Sequence, residues 1–288
     1  MSRSASSRAN RRGELPPDPE PLPAPAVDSH THLDITLGDF TRTPDPAEVD
    51  AQVAAAVAVG VPRLVQVGVD VPSSRWSAEL AARNPHVLAA VAVHPNEAGA
   101  ADDDALAEID RLAALPRVRA VGETGLDRFR TGPEGWAAQE ASFRAHVRIA
   151  KEHGKALVIH DRDAHEEILR VLDDEGAPEH TVFHCFSGDA AFARACVDRG
   201  HVLSFAGTLT FASSPHLREA AALTPLDQLL VETDAPFLTP APYRGRPNAS
   251  RLVPHTVRAL SEVTGVGVED LCGALTATAE RVFGPWEA

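Results

Sequence analysis

The chain has 288 residues, 44 % of them apolar, and a formal net charge of -14. Such a length allows one α/β barrel or two smaller domains with a sizeable core, while the negative charge excludes a protein that coats duplex DNA through a broad basic surface. It does not exclude an enzyme that holds phosphates in a focused pocket with metal ions and a few arginines.

Three cysteines, Cys185, Cys196 and Cys272, form no Cys-x-x-Cys pair, which argues against a disulfide framework or zinc-thiolate site and fits a reducing cytoplasm. No apolar run reaches the roughly 18 to 20 residues of a membrane span, and the N-terminus has no apolar segment of a secretory signal. The expectation is a cytoplasmic protein without a membrane partner.

Residues 1–25 are Ser/Arg-rich and then Pro-rich, with little to bury, and are expected to form a disordered extension. From residue 26 onward short β-type runs alternate with Ala-rich helical stretches, the pattern of βαβ units and a parallel sheet. The strand candidates are Ala26–Leu33, Arg63–Val69, Val87–His94, Val118–Thr124, Ala156–His160, Thr181–Phe186, His201–Phe205 and Leu229–Thr233. Helical stretches between them include Pro46–Val59, Asp102–Leu115, Ala137–His153, Ala164–Glu175 and Ala190–Arg199, and a further pair follows the last strand. Eight such units predict a TIM (β/α)8 barrel spanning residues 26–288 as one domain.

Metal-ligand side chains recur at the ends of these strands, where a barrel carries its catalytic groups. His30 and His32 form a His-x-His pair, which on a strand points both imidazoles to one face. Asp234, from the strand beside them once the barrel closes, is expected to complete one divalent site. His160 and His184, on adjacent strands, are expected to hold a second ion, and Glu123 to bridge the two. Related barrel hydrolases often bridge with a carbamylated lysine, but the lysines here, Lys151 and Lys155, fall at a helix end and the turn after it. Any one of these histidines alone would be read as an ordinary core or surface residue; their joint placement carries the expectation.

Two divalent ions would activate a water and clamp the attacking and leaving oxygens of a displacement, with Asp234 as general base. Mg²⁺, Mn²⁺ and Zn²⁺ all suit the ligand set. Asp28 and Glu232 each precede a ligand by two positions and are expected to orient imidazoles by hydrogen bonding. Arg162, two positions after His160, and Arg244, on the loop after the last strand, are candidates for pairing with substrate phosphate, and His94 for touching the substrate or leaving group. Tyr243 and Arg246 are weaker candidates.

Taken together, Asp28-Ser29-His30-Thr31-His32-Leu33, His94-Pro95, Gly122-Glu123-Thr124-Gly125-Leu126-Asp127, His160-Asp161-Arg162-Asp163-Ala164, His184-Cys185-Phe186-Ser187-Gly188, Glu232-Thr233-Asp234-Ala235-Pro236-Phe237-Leu238 and Tyr243-Arg244-Gly245 closely resemble the TatD family of metal-dependent deoxyribonucleases. The resemblance spans residues 26–288. It implies a binuclear site of His30, His32, Glu123, His160, His184 and Asp234, and 3′-to-5′ trimming of single-stranded or 3′-end DNA, with RNA an alternative substrate. One departure is Ser250, which stands where family members usually have a proline. The rival expectations are a barrel amidohydrolase cleaving another ester, lactone or amide, such as an aminoacyl ester on tRNA, and a non-catalytic barrel scaffold. A monomer is the expected assembly.

Overall fold

A computed structural model describes residues 14–35 and 42–286. Among them, eight strands run in parallel and in chain order around a TIM barrel. They are β1 (Val27–Thr31), β2 (Arg63–Val67), β3 (Val87–Val91), β4 (Val118–Asp127), β5 (Ala156–Arg162), β6 (Thr181–Phe183), β7 (Val202–Phe205) and β8 (Leu229–Val231). The helices outside them are α1 (Pro46–Ala58), α2 (Val71–Arg83), α3 (Asp103–Ala113), α4 (Pro133–Glu152), α5 (His165–Glu175), α6 (Ala190–Val197), α7 (Pro215–Leu223), α8 (Val253–Thr264) and α9 (Val268–Phe283). No described helix is long and apolar enough to cross a membrane.

Local sequence explains several helix starts. Asp45 accepts the backbone N–H of Glu48 and Glu48 reaches back to the N–H of Asp45, a capping box that, with Pro46 at the first turn, launches α1. Asp70 and Ser73 do the same for α2. The start of α4 lies four residues before the expected Ala137, because Pro133 opens the helix where a missing N–H costs nothing.

Alternation sorts the core into two layers. Val65, Val67, Leu88, Ala90, Ala120, Ala156, Val158, Val182, Val202 and Leu230 form a cluster inside the barrel, with Phe283 and Trp286 packed against it. Their neighbours Leu64, Ala89, Val121, Leu157, Ile159, Phe183, Leu203 and Val231 face outward into the helix layer. Two strands break the alternation. A register shift falls between Asp28 and Thr31 in β1, and another between Val121 and Thr124 in β4. The Gly122–Glu123 peptide lies inside the second shift and is cis.

The barrel closes between β1 and the segment after β8. Thr31 bridges Ala235, the Asp234 N–H donates to the His30 carbonyl at 2.9 Å, and the His32 N–H to the Ala235 carbonyl at 2.8 Å.

The expectation of disorder to residue 25 is corrected for its last part. Leu22 is buried and its N–H donates to the Val59 carbonyl at 3.0 Å, Arg251 pairs with Asp18 and donates to the Pro16 carbonyl at 2.7 Å, Arg258 donates to the Glu20 carbonyl at 2.8 Å, and Thr276 to that of Pro25 at 2.9 Å. A proline-rich strand lacks N–H groups to satisfy, so side chains of the barrel can hold it through its carbonyls. Residues 1–13, the remainder of the expected extension, lie outside the described residues.

Candidate metal centre

Six side chains meet above the carboxyl ends of β1, β4, β5, β6 and β8. His30 Nε2 and His32 Nε2 are 3.3 Å apart. The first lies 3.9 Å from both Glu123 Oε1 and Asp234 Oδ1, and the second 3.6 and 3.4 Å from the same atoms. The other Glu123 oxygen, Oε2, faces His184 Nε2 at 2.9 Å and His160 Nδ1 at 3.4 Å. Glu123 therefore turns one oxygen to the β1 pair and the other to the β5 and β6 pair.

The β4 register shift makes this possible. Ala120 faces the interior and Val121 the helices, so unbroken alternation would send Glu123 outward with Val121. Beyond the shift the parity is reversed: Leu126 faces the helices, and Glu123 and Asp127 face the centre. Gly125 lets the strand approach β5, since a Cβ there would lie 2.2 Å from the His160 carbonyl oxygen, and its φ is +138°.

Hydrogen bonds on the far nitrogens select the tautomers. The Nδ1–H of His32 donates to the Val67 carbonyl at 3.0 Å, that of His184 to Glu232 Oε1 at 3.2 Å, and the Nε2–H of His160 to Asp127 Oδ2 at 3.2 Å. Each leaves the lone pair of its other nitrogen turned to the centre, the arrangement of metal-ligating histidines. His30 stacks on His184 with ring centroids 3.9 Å apart, and its buried Nδ1 has no partner among the described residues. Imidazole and carboxylate donors converging in this way fit divalent ions, and His30, His32 and Glu123 lie close enough to share one.

The electrostatics are those of a crowded donor set. Burial works against charge on Glu123, but the imidazoles crowded around its two oxygens outweigh it and hold its pKa well below the ordinary value. His30 is pushed well below its ordinary value by burial and by the neighbouring His184.

His94 lies 3.7 Å from Glu123 Oε2, inside the cluster rather than on its rim. Its Nδ1 accepts the N–H of Asn96 at 3.0 Å, so its remaining proton sits on Nε2 and points at Glu123. Burial lowers its pKa to about 3, which keeps it neutral. That tautomer donates a hydrogen bond and does not ligate.

Glu232 orients His184, whereas Asp28 touches no imidazole. The Asp28 carboxylate accepts the N–H of Thr233 at 2.8 Å and its hydroxyl at 2.6 Å, tying β1 to β8. The reason is the β1 register shift, which puts Asp28 and His30 on different sides despite their spacing of two. Asp127, which the sequence reading left without a role, is instead the carboxylate behind His160; its spacing of four from Glu123 was the available signal. Ser250 donates to Thr31 Oγ1 at 3.1 Å, and Asn248 donates to the Thr233 carbonyl at 2.9 Å, so the loop with the unusual serine is pinned to the closure. Lys151 and Lys155 cap carbonyls of Glu175 and Leu115, away from the centre.

Arg162 and Arg244 are exposed at the mouth, each lying over a phenylalanine ring. Tyr243 packs edge-on to His255, and Arg246 lies 5.9 Å from the Tyr243 ring.

The family model described as TatD related DNase matches residues 27–284. The chain belongs to the TatD family. It is 46 % identical to an uncharacterized metal-dependent hydrolase TatD of Mycobacterium tuberculosis, over 88 % of this chain and 96 % of the relative. It is 35 % identical to a 3'-5' ssDNA/RNA exonuclease TatD of Citrobacter rodentium, over 82 % and 91 % of the two chains. Among solved structures it is similar to a TatD homologue of Escherichia coli K12, with a TM-score of 0.83, 25 % identity, and 90 % and 98 % of the chains covered. As a TatD member, the chain is a metal-dependent hydrolase.

Proposed function

We propose that this TatD-family hydrolase is a phosphodiesterase that removes nucleotides from the 3′ end of single-stranded DNA, with RNA as an alternative substrate, in a cytoplasmic setting. The observation that carries the reading is the division of Glu123 between two imidazole pairs, Oε1 towards His30 and His32 and Oε2 towards His160 and His184.

His30, His32 and Asp234 would hold one divalent ion, His160 and His184 a second, and Glu123 both. Mg²⁺, Mn²⁺ or Zn²⁺ held there would acidify water at the site and draw charge from the phosphoryl oxygens. Asp234, the least buried of the cluster's carboxylates at 16 % side-chain exposure, accepts the proton of the attacking water. His94 keeps a proton on Nε2, 3.7 Å from Glu123 Oε2, and donates it as a hydrogen bond to a substrate or leaving oxygen. Arg162 and Arg244, neither with an acidic partner among the described residues, pair with phosphates flanking the scissile one. The Citrobacter relative, named as an exonuclease on single-stranded DNA and RNA, supports the same substrate class.

The test is cleavage of 3′-labelled and 5′-labelled single-stranded oligonucleotides by metal-stripped protein re-supplied with Mg²⁺, Mn²⁺ or Zn²⁺. Metal-dependent loss of 3′ nucleotides is the expected result. Intact oligonucleotides beside a protein that binds the ions would overturn the substrate assignment and direct the search to other esters and lactones.

A further inference from the structure

Two arginines at the barrel mouth stand on aromatic rings without an acidic partner among the described residues. On the helical exterior Arg75, Arg111, Arg144, Arg148 and Arg170 are all ion-paired with acidic side chains. Among the described residues, the guanidiniums of Arg162 and Arg244 have neither an ion pair nor a hydrogen bond, and in each case the group lies on an aromatic ring. Arg162 Cζ is 4.7 Å from the ring centroid of Phe129, and Arg244 Cζ is 4.0 Å from that of Phe211.

The rings are unusual in their own right. Phe129 is 66 % exposed, the most exposed large apolar side chain among the described residues. Exposing a phenylalanine forgoes the stabilisation its burial would bring, so a ring held out in this way is available for a ligand. It is also held firmly: Asp127 Oδ1 accepts the N–H of Phe129 at 3.0 Å and of Arg130 at 2.7 Å, while its other oxygen faces His160. The backbone that carries the ring is thus tied to the carboxylate behind His160. Phe211 follows β7, Arg244 follows β8, and Thr210 ties the two segments by accepting the Ala241 N–H at 2.8 Å. The two stacks stand on either side of β6, beyond whose end lies His184.

We propose that Phe129 with Arg162, and Phe211 with Arg244, are two stacking clamps, each holding one unpaired nucleobase against an aromatic face while its arginine pairs with the adjoining phosphate. The inference rests on the phosphodiesterase reading and adds the way the strand is held. Every base has a π face, so such clamps are tolerant of sequence, and ring contacts do not distinguish deoxyribose from ribose. Bases inside a duplex are already stacked on one another, so the clamps select single strands. A guanidinium lying on a ring keeps its N–H edge free for phosphate and loses less freedom on binding.

The test is fluorescence anisotropy of a 5′-fluorescein ten-nucleotide DNA strand and of the same strand with abasic residues at its two 3′-terminal positions, titrated with protein in EDTA so that nothing is cleaved. Wild type should prefer the complete strand by about 10-fold for each clamp, within the range for one base–aromatic stack. Phe129→Leu and Phe211→Leu should each reduce the preference by about 10-fold, and Phe129→Tyr, which keeps a ring, should retain it. No preference in wild type, or a preference untouched in both leucine variants, overturns the clamps. Cleavage of the complete strand with Mn²⁺ reports separately on the activity: preference without cleavage leaves the clamps and removes the phosphodiesterase, and cleavage without preference does the reverse.

Discussion

His184 Nδ1 lies 3.2 Å from Glu232 Oε1, and the same oxygen accepts the backbone N–H of Cys185 at 2.9 Å. One buried carboxylate thus fixes both the tautomer of the imidazole and the backbone that carries it. Glu232→Gln keeps the volume and removes the charge. It should weaken Mn²⁺ affinity about 10- to 100-fold, the usual effect of losing a carboxylate behind a ligating histidine, as read by isothermal titration. Affinity equal to wild type would remove Glu232 from the support of the centre.

Asp234→Asn should lower kcat by about 100-fold or more while leaving the circular dichroism spectrum unchanged, because the amide preserves the shape but cannot accept the proton. The reaction to follow is metal-dependent oligonucleotide cleavage. A variant that turns over near the wild-type rate would sink the general-base assignment.

Gly125→Ala should destabilise the protein by about 1–3 kcal/mol or more, the cost of crowding a packed site. The added methyl would meet the His160 carbonyl oxygen at 2.2 Å, in a backbone conformation, φ +138°, that side chains rarely adopt. Urea unfolding of the two proteins measures it, and an unchanged midpoint would contradict the close approach of β4 and β5.

Two buried histidines should each withdraw stability as the solution is acidified from about pH 6.5 to about pH 4, against Asp28, whose carboxyl burial raises to about 7. Burial lowers the pKa of His146 to about 4, against the acceptance of its Nδ1 proton by the Ser142 carbonyl, and burial lowers that of His201 to about 4. The unfolded chain takes up these protons from about pH 6.5 downward while the folded chain refuses them. Each folded-state pKa is depressed, so the stability is present above about 6.5 and lost on the way down to about 4. For fully buried His146 the interval corresponds to about 3 kcal/mol. Melting in EDTA across this range, beside His146→Gln, checks it: the variant should show a shallower decline.

The barrel was legible because alternation and the recurring turn signals survive in a degenerate repeat, and because each candidate ligand ends its own apolar run. What was less legible depends on places where alternation fails. Asp28 was assigned to an imidazole by counting two residues back from His30, and the register shift between them sends it to Thr233 instead. The same counting applied from Ala120 would have turned Glu123 away from the centre; what pointed to it was its place at the end of its own apolar run, not strand parity. His94, expected to touch the substrate or leaving group, turns its Nε2 towards Glu123 because its Nδ1 accepts the Asn96 N–H, a contact that no residue pattern encodes. The segment before β1 has the composition of a disordered tail, and it is the distant Arg251, Arg258 and Thr276 that hold it.

The closure between β1 and β8 has one further consequence. The hoop is fastened by a single bridge, Thr31 to Ala235, two flanking backbone bonds and the Asp28 carboxylate on Thr233. His30 and His32 stand on one side of that clasp and Asp234 on the other, so an ion gripped by all three would act as a rivet through it. Its hold on the folded chain grows with its concentration, about 2.7 kcal/mol at one hundred times its dissociation constant. Chelation would then withdraw the rivet and leave the clasp to those backbone bonds and the Asp28 carboxylate.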